Sequence, residues 1–387
     1  MFDLSSRDPV IVGMGLIALD AVISERDEQS MRLWAGGTCG NVLAILSYLG
    51  WTAYPVARLN GDTASKYVSE DLDRWGVRRD FASLQPGSRT PVVVQRIRRN
   101  ADGKVFHKFS RRCPVCGSWL PGYTPVPASH VEGIFEQVGS LKVFFFDRAS
   151  SGALALAKAS ADKGAIVFFE PSSMGNPRLF REAVTVSHVL KYSEERMAQS
   201  NDVLSTAGPL LRIETLGSEG LRYQASLPGR GTTEWKHLDA YAMPQVRDAS
   251  GAGDWLTAGI IHRLGQMALE GFQSSTPAQL EEGLRFGQAL AAWNCGFEGA
   301  RGGMYAPDYA RNKKTFHAAI DSIISGHSLV VPALNHLAIE SKQVFQSICP
   351  TCGDKSRSTI NPAPIVQEAD FNDALSSYCG GALRGSR

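Results

Sequence analysis

Two groups of residues in this chain are spaced for chemistry. The first is the string DASGAGD at 248 to 254. Gly251, Ala252 and Gly253 let the backbone turn tightly at the start of a helix. The first-turn amides there have no partner within the helix, so they can face a phosphate or a developing negative charge. Asp254 follows directly, within reach of the same anion. A carboxylate in that place can take the proton of an attacking hydroxyl while the amides stabilise a transferring phosphoryl group. A plainer reading also accounts for the string: the glycines permit a sharp turn, and Asp254 is a first-turn acid favoured by the helix dipole. The string by itself does not separate the two.

The second group is cysteine. Four of the seven cysteines fall in two near-identical pentads, CPVCG at 113 to 117 and CPTCG at 349 to 353. CPxCG is a zinc knuckle: two thiolates on a tight turn supply half of a tetrahedral site. Two knuckles supply four ligands, Cys113, Cys116, Cys349 and Cys352, so a structural zinc is expected; the alternative is buried or free reduced thiols. The pentads are separated by most of the chain rather than by the roughly 15 to 20 residues of a local ribbon. If they meet on one metal, the C-terminal tail is tied to a distant hairpin. Cys39, Cys295 and Cys379 lack partners at ligand spacing and receive no role.

Composition narrows the setting. The chain has 387 residues, 43% hydrophobic and 20% charged, with a net charge of +2, which suits a folded globular protein rather than one coated in basic charge for nucleic acid. The first residues, MFDLSSRDPVIVGMG, do not read as a secretory signal, and no run approaches the roughly 18 apolar residues of a membrane span. The expected compartment is the cytoplasm.

These residues need elements to hold them. PVIVGMGLIALDAVI reads as a strand turning into a second strand near Asp20, and GGTCGNVLAILSYLG (36 to 50) as a loop feeding a helix. Next come a strand at YPVARL, an amphipathic stretch at 63 to 75, and a hairpin of TPVVVQRI and KVFHKF across Asn100 to Gly103. Strands at KVFFFD, AIVFFEP, HVLKYS and LRIETLG alternate with helical stretches, and helices are expected over 248 to 265, 278 to 297 and 308 to 325. This predicts an α/β fold: a doubly wound, mostly parallel sheet with ligands at the carboxyl ends of its strands. Residues 1–325 would form the main domain, with a small β lid from about 12–35 and 88–125 that includes CPVCG. Residues 326–387 would be a C-terminal extension carrying CPTCG, with a strand-like piece at HSLVVPAL and about ten disordered residues at the end.

The ordered motifs resemble the PfkB, or ribokinase-like, carbohydrate kinases over residues 10 to 305. Asp248 with GAGD is similar to that family's second signature, and Gly36, Gly37 and Asn41 before Leu49-Gly50 to its first. Gly61-Asp62, the hairpin at 91 to 109, the segment Thr215 to Gly220 and the FGQALAAWNCGFEGA stretch follow in order. The resemblance implies a kinase that uses ATP and Mg2+. Asp254 would be its base and Gly251, Ala252 and Gly253 its anion hole. Asp20, Gly36, Gly37 and Asn41 would bind the hydroxyls of a sugar, nucleoside or related polyol. Thr215, Gly217, Gly220 and Asp248 would serve ATP. One departure stands out: the family's N-x-x-E element, which organises magnesium-bound water, falls on Ser193 and Arg196, with Glu194 and Glu195 beside it. That departure and the added knuckles keep a second reading open, a non-catalytic ligand- or partner-binding protein on the same scaffold. The basic run Arg96, Arg98, Arg99, Lys104, Lys108, Arg111 and Arg112 reads as a solvated strand face, or as a surface for an anionic substrate or a nucleic-acid end. The lid also offers a route to an oligomer, and the sequence leaves the oligomeric state open.

Overall fold

The computed structural model describes residues 8–353 except 25–26, 85–86, 101–104, 199–200, 206–207, 311, 328–330 and 332–338. The hairpin turn after Asn100, Lys104, most of HSLVVPAL and the final residues lie outside the described residues.

The strands are β1 (Val10–Met14), β2 (Ala18–Ser24), β3 (Asp27–Gly36), β4 (Thr52–Leu59), β5 (Ala82–Leu84), β6 (Val92–Arg99), β7 (Val105–Ser110), β8 (Leu141–Phe146), β9 (Ile166–Phe169), β10 (Val189–Ser193), β11 (Leu211–Thr215), β12 (Leu221–Leu227), β13 (Gly231–Thr232), β14 (Lys236–Leu238) and β15 (Ile339–Glu340). Ten of them form one sheet in the order β13-β12-β11-β10-β9-β8-β1-β4-β5, with β14 paired to β12. Every pairing from β5 to β10 and on to β11 is parallel; β12, β13 and β14 join antiparallel. β9 is buried along its whole length, and the phenylalanines of β8 and β9 are fully buried. Strands with helices over both faces carry such unbroken apolar runs. The chain leaves β1 in both directions across the sheet, so the carboxyl end of β1 is a switch point where a ligand crevice opens.

The lid is a second sheet of five strands in the order β15-β3-β2-β6-β7. It differs from the sequence expectation at both ends. Residues 10–14 belong to the main sheet, because β1 pairs with β4 and β8, and residues 27–36, placed in the lid without a strand, form the long strand β3, which lacks clean alternation in sequence. The extension also enters the lid: β15 pairs with β3, and the helix Ser341–Ile348 packs on β3 and on the helix Thr63–Arg74. Val344, Phe345 and Ile348 of that helix are buried in one core with Leu19, Ala21 and Met31 of the lid. The lid's outer apolar face is therefore covered by the chain itself.

The helices expected late in the domain run over Ala252–Leu264 and Pro277–Cys295, with a short turn Pro307–Ala310 before Lys313–Ile324. Residues 248 to 251 stay outside the first of these, because Gly251 sits at its N-cap with φ 71°, in the left-handed region.

Candidate active site

The helix Thr38–Tyr48 begins at Gly37, whose φ is 76° and where a Cβ would lie 2.4 Å from the Leu16 carbonyl oxygen. Only glycine lets the loop approach the β1–β2 turn this closely. One turn into the helix, buried Asn41 donates from Nδ2 to Asp254 Oδ2 at 2.7 Å. Its Oδ1 accepts from Arg301 Nε at 3.0 Å, which fixes the amide so that its donor faces the carboxylate. Two residues 213 positions apart in sequence thus meet at one atom pair. At the other start, a Cβ on Gly251 would lie 2.2 Å from the Ala300 carbonyl oxygen, so the turn ahead of Asp254 also needs glycine.

Asp254 is 9% exposed. Burial pushes its carboxyl up to about 7; the nearby Glu170 adds to the rise, and Asn41, Lys191 and Arg196 oppose it. Glu170 follows β9 and Lys191 lies in β10. The two form an ion pair, and Glu170 Oε2 also accepts from Thr257 Oγ1 at 2.5 Å. A Cβ on Gly253 would stand 3.5 Å from Lys191 Nζ and 3.7 Å from Glu170 Oε1, so this pair of a buried lysine and a partly buried glutamate lies against the backbone expected to hold an anion. Neither residue was singled out in the sequence. The available signal was their place in neighbouring apolar strands, Glu170 just past the end of β9 in AIVFFEP and Lys191 within β10 in HVLKYS.

Asp20 faces the site from β2, beside Gly36, and accepts from the Gly37 amide; loss of water raises its carboxyl to about 7 against the pull of Arg301. Arg301, 1% exposed, binds Asp71 at 2.8 Å, and Tyr305 also donates to Asp71. Tyr305 stacks on Trp34 of β3 with ring centroids 5.0 Å apart. Asp71, Arg301 and Tyr305 thus form a buried support under Asn41 that the sequence reading missed. Arg301 follows directly on the FGQALAAWNCGFEGA stretch but carries no spacing signal of its own.

Asp248 is fully buried. Its carboxylate accepts from the Ser250 and Gly299 amides, each at 2.7 Å, and lies 3.2 Å from His107 of the lid. Gln95 of the lid donates to Ser250. The structure therefore shows Asp248 knitting the loop and the lid together. Thr215 ends β11 directly opposite Ser193 of β10, and Gly217 and Gly220 bracket a single turn with φ 61° and 100°. The structure brings together Asp20, Gly36, Gly37, Asn41, Asp254 and the glycine turn; Thr215, Gly217 and Gly220 lie further along the same carboxyl edge.

The four knuckle cysteines also converge. Cys113 and Cys352 sulfurs lie 3.7 Å apart, as do Cys116 and Cys349, and all four sulfurs lie within 4.8 Å of one another. Disulfide sulfurs would sit about 2.05 Å apart. A tetrahedron of thiolates about 2.3 Å from a zinc ion has edges of about 3.8 Å. The donor set and its spacing fit zinc.

The fold is that of ribokinase-like α/β structures. Among solved structures, the chain is similar to a fructokinase with bound ATP from Xylella fastidiosa (17% identity, TM-score 0.60, covering 82% of this chain and 98% of that one). It is also similar to an Arabidopsis thaliana ribokinase complexed with ribose and ATP (20%, 0.57, 81% and 99%) and to a Burkholderia thailandensis nucleoside kinase in complex with inosine (17%, 0.58, 81% and 98%). At these identities the likeness is one of fold. No protein-family model matches the sequence, and no curated protein matches it. Among the described residues no helix is long and apolar enough to cross a membrane.

Proposed function

We propose that the chain is an ATP-dependent kinase that phosphorylates a hydroxyl of a sugar, nucleoside or related polyol, with Asp254 as the general base. The observation that carries this reading is the Asn41–Asp254 contact beside the glycine turn: a buried carboxyl with its pKa near neutrality, held by a donor whose own orientation is fixed. Asp20, Gly36, Gly37 and Asn41 would grip the acceptor's hydroxyls. The amides of Gly251, Ala252 and Gly253 would face the transferring group, with the Lys191 ammonium behind them. Thr215, Gly217 and Gly220 would flank the nucleotide. Magnesium supplies charge neutralisation to the phosphates when bound. Glu194 and Glu195 are the exposed carboxylates nearest the Ser193/Arg196 departure, while the Arg196 charge is felt by Asp254.

Arg196 in place of the expected acid supports one competing reading, a ligand-binding protein that has kept the scaffold. Incubation with labelled ATP, magnesium and a panel of sugars and nucleosides decides between them: transfer to an acceptor establishes the kinase, and binding of ATP or a sugar with no transfer favours the competitor. We also propose that the cysteine cluster holds a structural zinc. A macromolecular partner would meet the basic lid around Trp119, which is 54% exposed and lies between Arg111 and Arg112, with guanidinium carbons 5.4 and 4.3 Å from the ring centre. An oligomer through the lid would use the β7 edge, since the opposite part of the outer face is already covered.

The pH dependence follows from the neighbours of Asp254. A base must be deprotonated, so transfer should climb as pH rises through about 7. Glu170→Gln removes a negative charge that favours the protonated form, so the rising limb should move to lower pH. A kcat/KM profile for the variant superimposing on the wild type would show that Glu170 does not act on Asp254.

A further inference from the structure

Behind the glycine turn that precedes Asp254 stands one side chain that no motif marks. Asn294 lies in the last turn of the helix Pro277–Cys295 and is fully buried. Its Nδ2 donates to three backbone carbonyls, those of Ser250 at 3.4 Å, Gly299 at 3.4 Å and Ala300 at 3.1 Å. Two N–H bonds serve three acceptors, so one of them is shared. The amide cannot be turned round, since its oxygen would then face three carbonyl oxygens; as it stands, Oδ1 accepts from the Gly303 amide at 3.3 Å. The partners set this amide apart from an ordinary core residue. Ser250 immediately precedes the turn. Ala300 abuts Gly251 through its carbonyl, which also accepts from Trp255 Nε1 at 3.0 Å, one residue past Asp254. Arg301, the next residue, holds Asn41, and Asn41 holds Asp254. Gly299, with φ 91°, lies against the Trp34 ring of the lid, where no Cβ would fit. Residues 299–301 therefore touch the turn, the support of the Asn41–Asp254 pair and the lid, and Asn294 ties them to Ser250.

We propose that Asn294 is a positioning residue for phosphoryl transfer, fixing the glycine-turn amides relative to the Asn41–Asp254 pair. The inference rests on the kinase reading and adds to it a residue that touches neither the acceptor nor the base. The transferring group must meet the amides of Gly251 to Gly253 while the acceptor hydroxyl meets Asp254. The turn reaches that place through Ser250, and the orientation of Asp254 is set by Asn41, which Arg301 holds. Asn294 is the point at which these two supports join. Ser250 and Gly299 are each gripped twice: Asp248 takes their amides and Asn294 their carbonyls. Removing the donors of Asn294 frees one side of that grip and leaves buried carbonyls unpaired, so the turn shifts against the base. A small misplacement of reacting groups is felt in the rate of the bound complex rather than in binding. An amide that only filled core space would, when replaced, lower stability and leave kcat where it was.

The test counts donors in the full chain. Asn294→Ser keeps a single O–H donor and Asn294→Ala keeps none. With ATP and acceptor saturating, kcat should fall about tenfold or more in Asn294→Ala and by less in Asn294→Ser, while KM for each substrate stays within about twofold of the native value. Hydrogen exchange followed by mass spectrometry should speed up over residues 249–254 in the same order and stay unchanged over β8 and β9. If Asn294→Ala does not fold, Asn294→Ser carries both measurements. Native kcat in the folded variants, with or without a rise in KM, would overturn the proposal, as would unaltered exchange over residues 249–254. Absence of transfer by the native protein would count against the kinase reading alone; faster exchange of the turn in the variants would then still support the role of Asn294 in holding it, and unchanged exchange would still overturn that role.

Discussion

Asp254→Asn is expected to lower phosphoryl transfer by about 10²- to 10⁴-fold, the usual contribution of a positioned general base. The amide has nearly the shape of the carboxylate and can still accept from Asn41, whose Nδ2 reaches Oδ2 at 2.7 Å in the native chain. It also removes a buried charge that native folding holds at a cost, as the upward shift of the Asp254 pKa to about 7 shows. The variant should therefore unfold at or above the native midpoint while transfer falls. That combination distinguishes loss of a proton acceptor from loss of structure. Measured transfer at the native rate in a folded Asp254→Asn protein would remove the base from Asp254. The residual rate in the variant would report what positioning by Asn41, the glycine-turn amides and Lys191 contributes without it.

The second large effect belongs to the cysteine cluster. Native protein should carry about one zinc per chain, and Cys349→Ser/Cys352→Ser should carry about none, since a half-site of two thiolates does not close a tetrahedron. The consequence for the tail follows from comparing magnitudes. Val344, Phe345 and Ile348 anchor the helix Ser341–Ile348 to the lid, and each contributes about 1.5–3 kcal/mol. A four-thiolate zinc site contributes about 10–16 kcal/mol in isolated domains. Zinc, once bound, would thus dominate the attachment. Removing it by chelation or by the double substitution should expose the segment beyond Ile324 to limited proteolysis and lower the unfolding midpoint, by about 2–4 °C for each kcal/mol lost. Zinc content of zero in the native protein, or full retention in the double serine variant, would refute the site. The lid shares a sheet with this segment through β15 and β3, so KM for the acceptor should rise more than kcat falls.

How far the sequence could be read depended on whether a residue's partner lies nearby along the chain. The parallel sheet was legible because β8 and β9 are continuous apolar runs between helices, and the turn before Asp254 because glycine is required by a local backbone conformation. β3 was not, because it pairs antiparallel with β2 yet lacks alternation: its site-facing Trp34 stacks on Tyr305, and Met31 and Ala35 on its other face are buried under the distant tail. The CPxCG knuckles declared their chemistry locally, but only the fold could bring Cys113 to Cys352 and Cys116 to Cys349.

The sequence by itself determined the α/β class and the glycine turn, and it nominated Asp254 as a candidate base and four cysteines as candidate ligands, since these follow from periodicity, a required φ, a short-range spacing or a family resemblance. Tertiary structure alone decided which charges surround Asp254. Glu170 and Lys191 reach Asp254 from neighbouring strands, Arg301 and Asp71 hold Asn41 from elsewhere in the chain, and buried charges are tolerated only when the fold delivers their partners to them. No local pattern records such a pairing, because the desolvation that makes it necessary exists only once the strands and helices have closed around it.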